Sequence, residues 1–167
     1  MSSFKKLPKN IKLSLSFLHN TDRLIRTLFT NILWDYCERF DTEPTEEKVV
    51  VVVAGIIDTD ENFFGVTYEG NNRYAVHVYD PCLDQEEETI YSHRLVVWLF
   101  VTALCHEFVH VAQFLTGRKP EPNSFVKDNE DPEEQYFFDP FEVEARILEG
   151  FYAAKFGLPL RNHSESE

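Results

Sequence analysis

Apolar positions recur at helical spacing through "NTDRLIRTLFTNILWDYCERF", where Leu24, Ile25, Leu28, Phe29, Ile32, Leu33, Tyr36 and Phe40 share one side. That spacing predicts an amphipathic helix, with Asn20 or Thr21 as its N-cap. Pro44 and the acids of "DTEPTEE" break the pattern. "KVVVVVAG" shows no polar alternation and stops at Gly55, as a strand buried on both faces does. "FFGVTYEGNNRYAVHVYD" predicts a hairpin, because Gly70, Asn71 and Asn72 tolerate positive φ between two β-rich arms.

After the acidic "DQEEE", the span Thr89–Thr116 is the longest predicted helix, ending at Gly117. Residues 118–138 are polar and carry Pro120, Pro122 and Pro132, so they predict a long loop of the kind that serves function or moves. The last helix opens at "DPFE". Asp139 suits the N-cap, Pro140 the first helical position, and Glu142 the partner in a capping box. It runs to about Phe156 and stops at Gly157 and Pro159. Phe141, Ala145, Leu148, Tyr152 and Phe156 form one apolar face; Val143, Ile147, Phe151 and Ala154 form a second. A helix with two such faces is expected to be substantially buried.

The expectation is an α+β fold with one domain over residues 20–160. Its order is an N-terminal helix, a small three-stranded, mostly antiparallel sheet, a long helix, a long loop and a last helix. Residues 1–19 are set apart as a basic segment and 161–167 as a polar tail.

The chain's 167 residues suffice for one core. Its formal net charge of −13 is uneven, since Lys5, Lys6, Lys9 and Lys12 gather at the start. The acidic remainder would repel a phosphate backbone, which argues against a nucleic-acid partner. Cys37, Cys82 and Cys105 are odd in number and lack C-x-x-C spacing, so a reducing, cytoplasmic setting is expected. "IKLSLSFLHN" is interrupted by Lys12 and has no small-residue cleavage site, unlike a signal peptide. The longest apolar run, Leu95–Cys105, falls short of the roughly 20 residues that cross a bilayer. No membrane association is expected.

Chemistry concentrates in "CHEFVH", residues 105–110. His106 and His110, four apart on a predicted helix, can aim two imidazoles at one ion. Glu107 lies about 100° round the helix from His106, too far to ligate and well placed to act on water. This H-E-x-x-H pattern suits a zinc ion that acidifies water, with the glutamate taking the proton as a carbonyl is attacked.

A catalytic zinc takes a third protein ligand. Downstream of His110 the sole histidine is His163, in the polar tail, so carboxylates of the last helix come forward. One polar stripe carries Glu142, Arg146 and Glu149 beside small Gly150 and Ala153; the other carries Glu144 and Lys155. Small neighbours permit close helix approach, so Glu142 is the expected ligand. Glu149 is expected behind the ligands as support, and Glu144 is held in reserve. The competing reading of Glu142 is the capping box alone.

"HEFVH" and "FEVEA" together resemble the gluzincins, zinc peptidases with H-E-x-x-H on one helix and a ligand glutamate on a later one. The compact element order over about residues 20–157 is most similar to the minigluzincins. The resemblance implies a zincin-like domain with His106, His110 and Glu142 as ligands and Glu107 as general base. Ala145, three positions after Glu142, fits the family pattern and favours Glu142 over Glu144. Arg146 departs from it, for thermolysin-like relatives carry there an acid that orients a ligand histidine; Glu149 could substitute. The resemblance also implies an edge strand that pairs with extended substrate, which places Phe64, Gly65 and Val66 of "NFFGVT" as substrate-binding. Tyr136, Arg146 and Tyr152 are open options for stabilising an oxyanion.

Cys105 is expected to be a buried structural cysteine. His77 is expected on the less buried strand face with Ala75 and Tyr79, and His93 is not expected to bind metal. The acids of "DNEDPEEQ" could favour basic substrates or simply be solvated. The sequence therefore points to zinc-dependent hydrolysis of a peptide or protein substrate. The alternative is a zincin-like binding or regulatory module, with structural or lost metal and no hydrolysis.

Overall fold

The computed structural model describes residues 5–16, 22–44, 48–55, 65–68, 73–79, 93–119 and 137–164. Among these residues there are four strands, β1 (Ile11–Ser16), β2 (Lys48–Gly55), β3 (Gly65–Tyr68) and β4 (Arg73–Tyr79). Four helices accompany them: α1 (Asp22–Arg39), α2 (His93–Leu115), α3 (Pro140–Phe156) and α4 (Leu158–Ser164). The fold is α+β.

The sheet differs from the three-stranded, mostly antiparallel one that the sequence predicts. It has four strands in the order β1-β2-β4-β3, with β1–β2 and β2–β4 parallel and only β3–β4 antiparallel. The two arms of the predicted hairpin pair antiparallel as β3 and β4, and its turn residues Gly70, Asn71 and Asn72 lie outside the described residues. The added strand comes from the basic segment: Ile11 and Leu13 are buried while Lys12 and Ser14 face out, a two-residue alternation obscured by the lysines. Parallel pairing of β1 with β2 needs a crossover, which α1 supplies. The valine-rich β2 then takes a central position, as an uninterrupted β-branched run requires.

α1 buries Ile25, Leu28, Phe29, Ile32, Leu33 and Tyr36 of its predicted apolar side, with Leu24 and Phe40 partly buried and Cys37 buried beside them. Asn20 and Thr21, its expected caps, lie outside the described residues, as does the 120–136 part of the long loop. α2 is the axis of the domain and packs against α1, α3, α4, β3 and β4. From Leu104 to Thr116 it is buried on nearly every side. Phe108 meets Phe29 edge-on, with centroids 5.0 Å apart, and Phe114 stacks on Tyr74 at 5.5 Å. The window Trp98–Leu115 is long and apolar enough to cross a membrane by composition, and 67% of it is buried inside the fold.

α3 starts as its sequence dictates. Asp139 Oδ1 accepts the Phe141 N–H at 2.7 Å, and Pro140 occupies the first turn. Glu142 does not close a capping box; its carboxylate turns toward α2. The helix also differs from its predicted burial. Ala145, Leu148, Tyr152 and Ala153 are buried, whereas Val143, Ile147 and Phe151 stay 39%, 69% and 43% exposed. α3 packs against α1, α2 and α4.

Gly157 ends α3 for reasons of space. A Cβ there would lie 2.5 Å from the Ala153 carbonyl oxygen and 2.6 Å from Val101 Cγ1. The close approach lies at Gly157; Gly150, expected to permit it, has open space around it. The chain then re-enters a helix, α4, in which Leu160 is buried. Residues 161–164, set apart above with the polar tail, continue it.

Candidate metal centre

Helical spacing and burial bring two histidines of α2 to the first turn of α3. The Nε2 atoms of His106 and His110 stand 3.1 Å apart. Glu142 Oε1 lies 3.0 Å from His110 Nε2, and its Oε2 lies 3.4 Å from His106 Nε2. One ligand atom from each residue falls within a 4.8 Å cluster, so His106, His110 and Glu142 could together hold a metal ion. The three residues expected as ligands are thus the three that the fold assembles.

Each ring is held from behind. Glu149 Oε2 lies 2.6 Å from His106 Nδ1, and Gln113 Oε1 lies 2.8 Å from His110 Nδ1. A carboxylate only accepts, so His106 Nδ1 carries a hydrogen and its Nε2 presents a lone pair in the neutral ring. Glu149, expected behind the ligands from its place on the stripe, thus lies against the His106 ring. Gln113, wholly buried, was not anticipated; its position three residues after His110 on the same helix is the signal that could have found it.

The electrostatics favour a cation between these groups. Burial pulls the His106 pKa down, but Glu142 and Glu149 outweigh it and raise it to about 9. Burial pushes Glu142 up, and the two histidines and Lys119 hold its carboxyl well below the usual range. Glu107, 3% exposed, has its pKa raised by burial, with the histidines acting against the rise. Glu107 Oε2 and Glu142 Oε2 are both buried without a hydrogen-bond partner among the described residues.

Lys119 also reaches the site and was not foreseen. Gly117 adopts φ 69°, the Gly117 N–H bonds to the Phe114 carbonyl at 3.0 Å, and the Lys119 N–H returns to the Gln113 carbonyl at 3.1 Å. This glycine cap turns the chain back along α2. Lys119 Nζ ends 3.6 Å from Glu142 Oε1.

Other candidates are occupied elsewhere. Glu144, the reserve ligand, accepts from Tyr36 Oη at 2.6 Å, Gln113 Nε2 at 3.0 Å and Arg118 Nη1 at 2.8 Å. One position apart from Ala145, it faces α1 instead of the histidines. Arg146 bonds to the Glu142 and Phe137 carbonyls, and its guanidinium lies over the Phe137 ring at 4.4 Å. Tyr152 donates to Asp35 Oδ2 at 3.1 Å on α1. Tyr136 and Phe64 lie outside the described residues. Gly65 and Val66 belong to β3, the last strand in the sheet order, and that strand as a whole contacts α2.

Cys105 is fully buried, with its thiol pKa pushed up by burial, as a structural cysteine requires. His77 is exposed, although Ala75 on the same strand face is buried. The side chains of His93 and His163 lie outside the described residues. Comparison with protein families, curated proteins and solved structures finds no match to this chain.

Proposed function

We propose that this protein is a zinc-dependent peptidase with a zincin-like domain of gluzincin type. His106, His110 and Glu142 bind the zinc, and Glu107 is the general base. One observation carries the reading. Two imidazole Nε2 atoms and a buried carboxylate converge within 4.8 Å, and Lys119 at 3.6 Å is outside hydrogen-bonding range of Glu142. With both rings neutral, their Nε2 lone pairs and the carboxylate face one another, and a shared cation satisfies all three. Two neutral nitrogens and one carboxylate suit zinc and leave a fourth position open.

Bound zinc supplies Lewis acidity toward a peptide carbonyl and toward water. The chain's own residues supply the rest. Glu107, whose Oε2 has no hydrogen-bond partner among the described residues, would take a proton from the water whose oxygen adds to the peptide carbonyl carbon and pass it to the amine that leaves as the C–N bond breaks. Burial, by raising its pKa, moves it toward the range in which both transfers proceed near neutral pH. Glu149 and Gln113 hold the two rings. Gly65 and Val66, on β3 at the end of the strand order, would offer main-chain hydrogen bonds to an extended peptide. Net acidity disfavours nucleic acid as a partner, and the free buried thiols of Cys37 and Cys105 suit a reducing cytoplasm.

The test is zinc content by mass spectrometry on protein purified without chelator or affinity metal, followed by peptide hydrolysis. About one zinc per chain is expected, and Glu107→Gln should retain it while losing hydrolysis. Zinc near zero, with none regained on addition, would overturn the reading.

The outward apolar face of α3 favours a second reading. Val143, Ile147 and Phe151 suit a binding module in which the metal is structural. That reading expects bound zinc and no hydrolysis of any peptide library.

A further inference from the structure

Gln113 sits on α2 one turn beyond His110, and its hydrogen bonds leave its amide one orientation. Nε2 donates to the Phe141 carbonyl at 3.0 Å and to Glu144 Oε1 at 3.0 Å. Both partners are acceptors. The Glu144 carboxylate is itself held by Arg118 Nη1, 2.8 and 3.0 Å from its two oxygens, and by the Tyr36 hydroxyl at 2.6 Å. A reversed amide would set its carbonyl oxygen against two acceptors in a buried place. Gln113 Oε1 therefore faces His110 Nδ1 at 2.8 Å. An amide oxygen only accepts, so Nδ1 carries the hydrogen. His110 Nε2 is left with its lone pair directed at Glu142 and His106.

We infer that Gln113 is a positioning residue that sets the tautomer and ring orientation of His110, and that Glu144, clamped by Arg118 and Tyr36, fixes the orientation of Gln113. In treating His110 as a ligand, this rests on the peptidase reading. Its core is a proton position that exists with or without metal. The arrangement joins three elements: Tyr36 comes from α1, Gln113 from α2 and Glu144 from α3, with Arg118 from the turn after α2. Glu144 thus serves the site at one remove, through an amide.

The two histidines are held by different chemistry. A carboxylate backs His106 and a neutral amide backs His110, so charge at Glu149 tunes one ring while geometry at Gln113 tunes the other.

The test uses the full chain, labelled with ¹⁵N and stripped of metal by chelator, at a pH where both rings are neutral. Two-bond ¹H–¹⁵N correlation spectra report which ring nitrogen bears hydrogen. His110 should show the Nδ1–H tautomer; the Nε2–H pattern in the wild type overturns the inference outright. Gln113→Met removes the acceptor at similar volume. It should give mixed tautomers at His110, leave His106 as it was, and weaken zinc binding about 10- to 100-fold in chelator competition. An unchanged His110 pattern in that variant also overturns the inference. Should the variant not fold, the wild-type spectrum decides. Nδ1–H at His110 with no zinc uptake removes the peptidase reading and keeps this one. Zinc uptake with Nε2–H in the stripped protein does the reverse.

Discussion

Glu149 holds His106 Nδ1 at 2.6 Å from a point two turns further along α3 than Glu142. One helix thus contributes a carboxylate to the front of the imidazole and another to its back. Glu149→Ala should reduce zinc affinity about 10- to 100-fold without unfolding the domain, and Glu149→Gln should cost less because the amide oxygen still accepts. Chelator competition measures both. Equal affinity in all three proteins would show that Glu149 does not support the site.

Glu142 and Glu144 share a helix turn and separate cleanly by experiment. Glu142→Ala should abolish stoichiometric zinc. Glu144→Gln should leave zinc at about one per chain and destabilise the fold by about 1–3 kcal/mol, because Arg118 and Tyr36 lose a charged partner. Metal analysis beside urea denaturation reads the two effects. Zinc lost from the Glu144 variant and kept by the Glu142 variant would reverse the assignment.

Asp35 joins α1 to α3 through Lys155 Nζ at 2.6 Å and Tyr152 Oη at 3.1 Å, and accepts from Arg39 Nη2 of its own helix at 3.2 Å. Burial pushes its pKa up, but Lys155, Tyr152 and Arg39 outweigh this and bring it below the ordinary value. A carboxyl with a lowered folded pKa stabilises fully above its unfolded value, about 3.9, and loses that contribution as pH falls through the folded one. Asp35→Asn should therefore be less stable than wild type at neutral pH, and the gap should narrow below about pH 4. Urea midpoints from pH 7 to pH 3 check it; a gap that stays constant with pH would count against the ion pair.

Two glycines of α3 and its end should respond oppositely to alanine. Gly157→Ala forces a Cβ against the Ala153 carbonyl and Val101, and should cost about 1–3 kcal/mol. Gly150→Ala adds a Cβ in open space within a helix and should stabilise by about 0.5–1 kcal/mol. Denaturation midpoints moving in the same direction would contradict the packing at Gly157.

By itself the sequence determined what is local. The 3.6-residue recurrence in α1, the β-branched run of β2, the hairpin arms, and the Asp139–Pro140 start of α3 all depend on neighbours a few residues away. So does the spacing of His106 and His110, which any α-helix places on one face. The wheel of α3 also singled out the stripe bearing Glu142 and Glu149, because side-chain direction on a helix follows from residue number.

Only the tertiary structure decided what depends on remote partners. Strand β1 was hidden because parallel pairing carries no local turn signal, and the lysines masked the alternation of Ile11 and Leu13. The exposure of Val143, Ile147 and Phe151 depended on which helices pack against α3, and a second apolar face cannot report an absent neighbour. Whether Glu142 capped its helix or reached the histidines was settled by how closely α2 and α3 approach. Gln113, Arg118 and Lys119 acquired their places from a glycine cap and a helix crossing. Polar side chains in a buried junction are chosen by the partners they must satisfy, and those partners, Tyr36 and Glu144, lie far away in the chain.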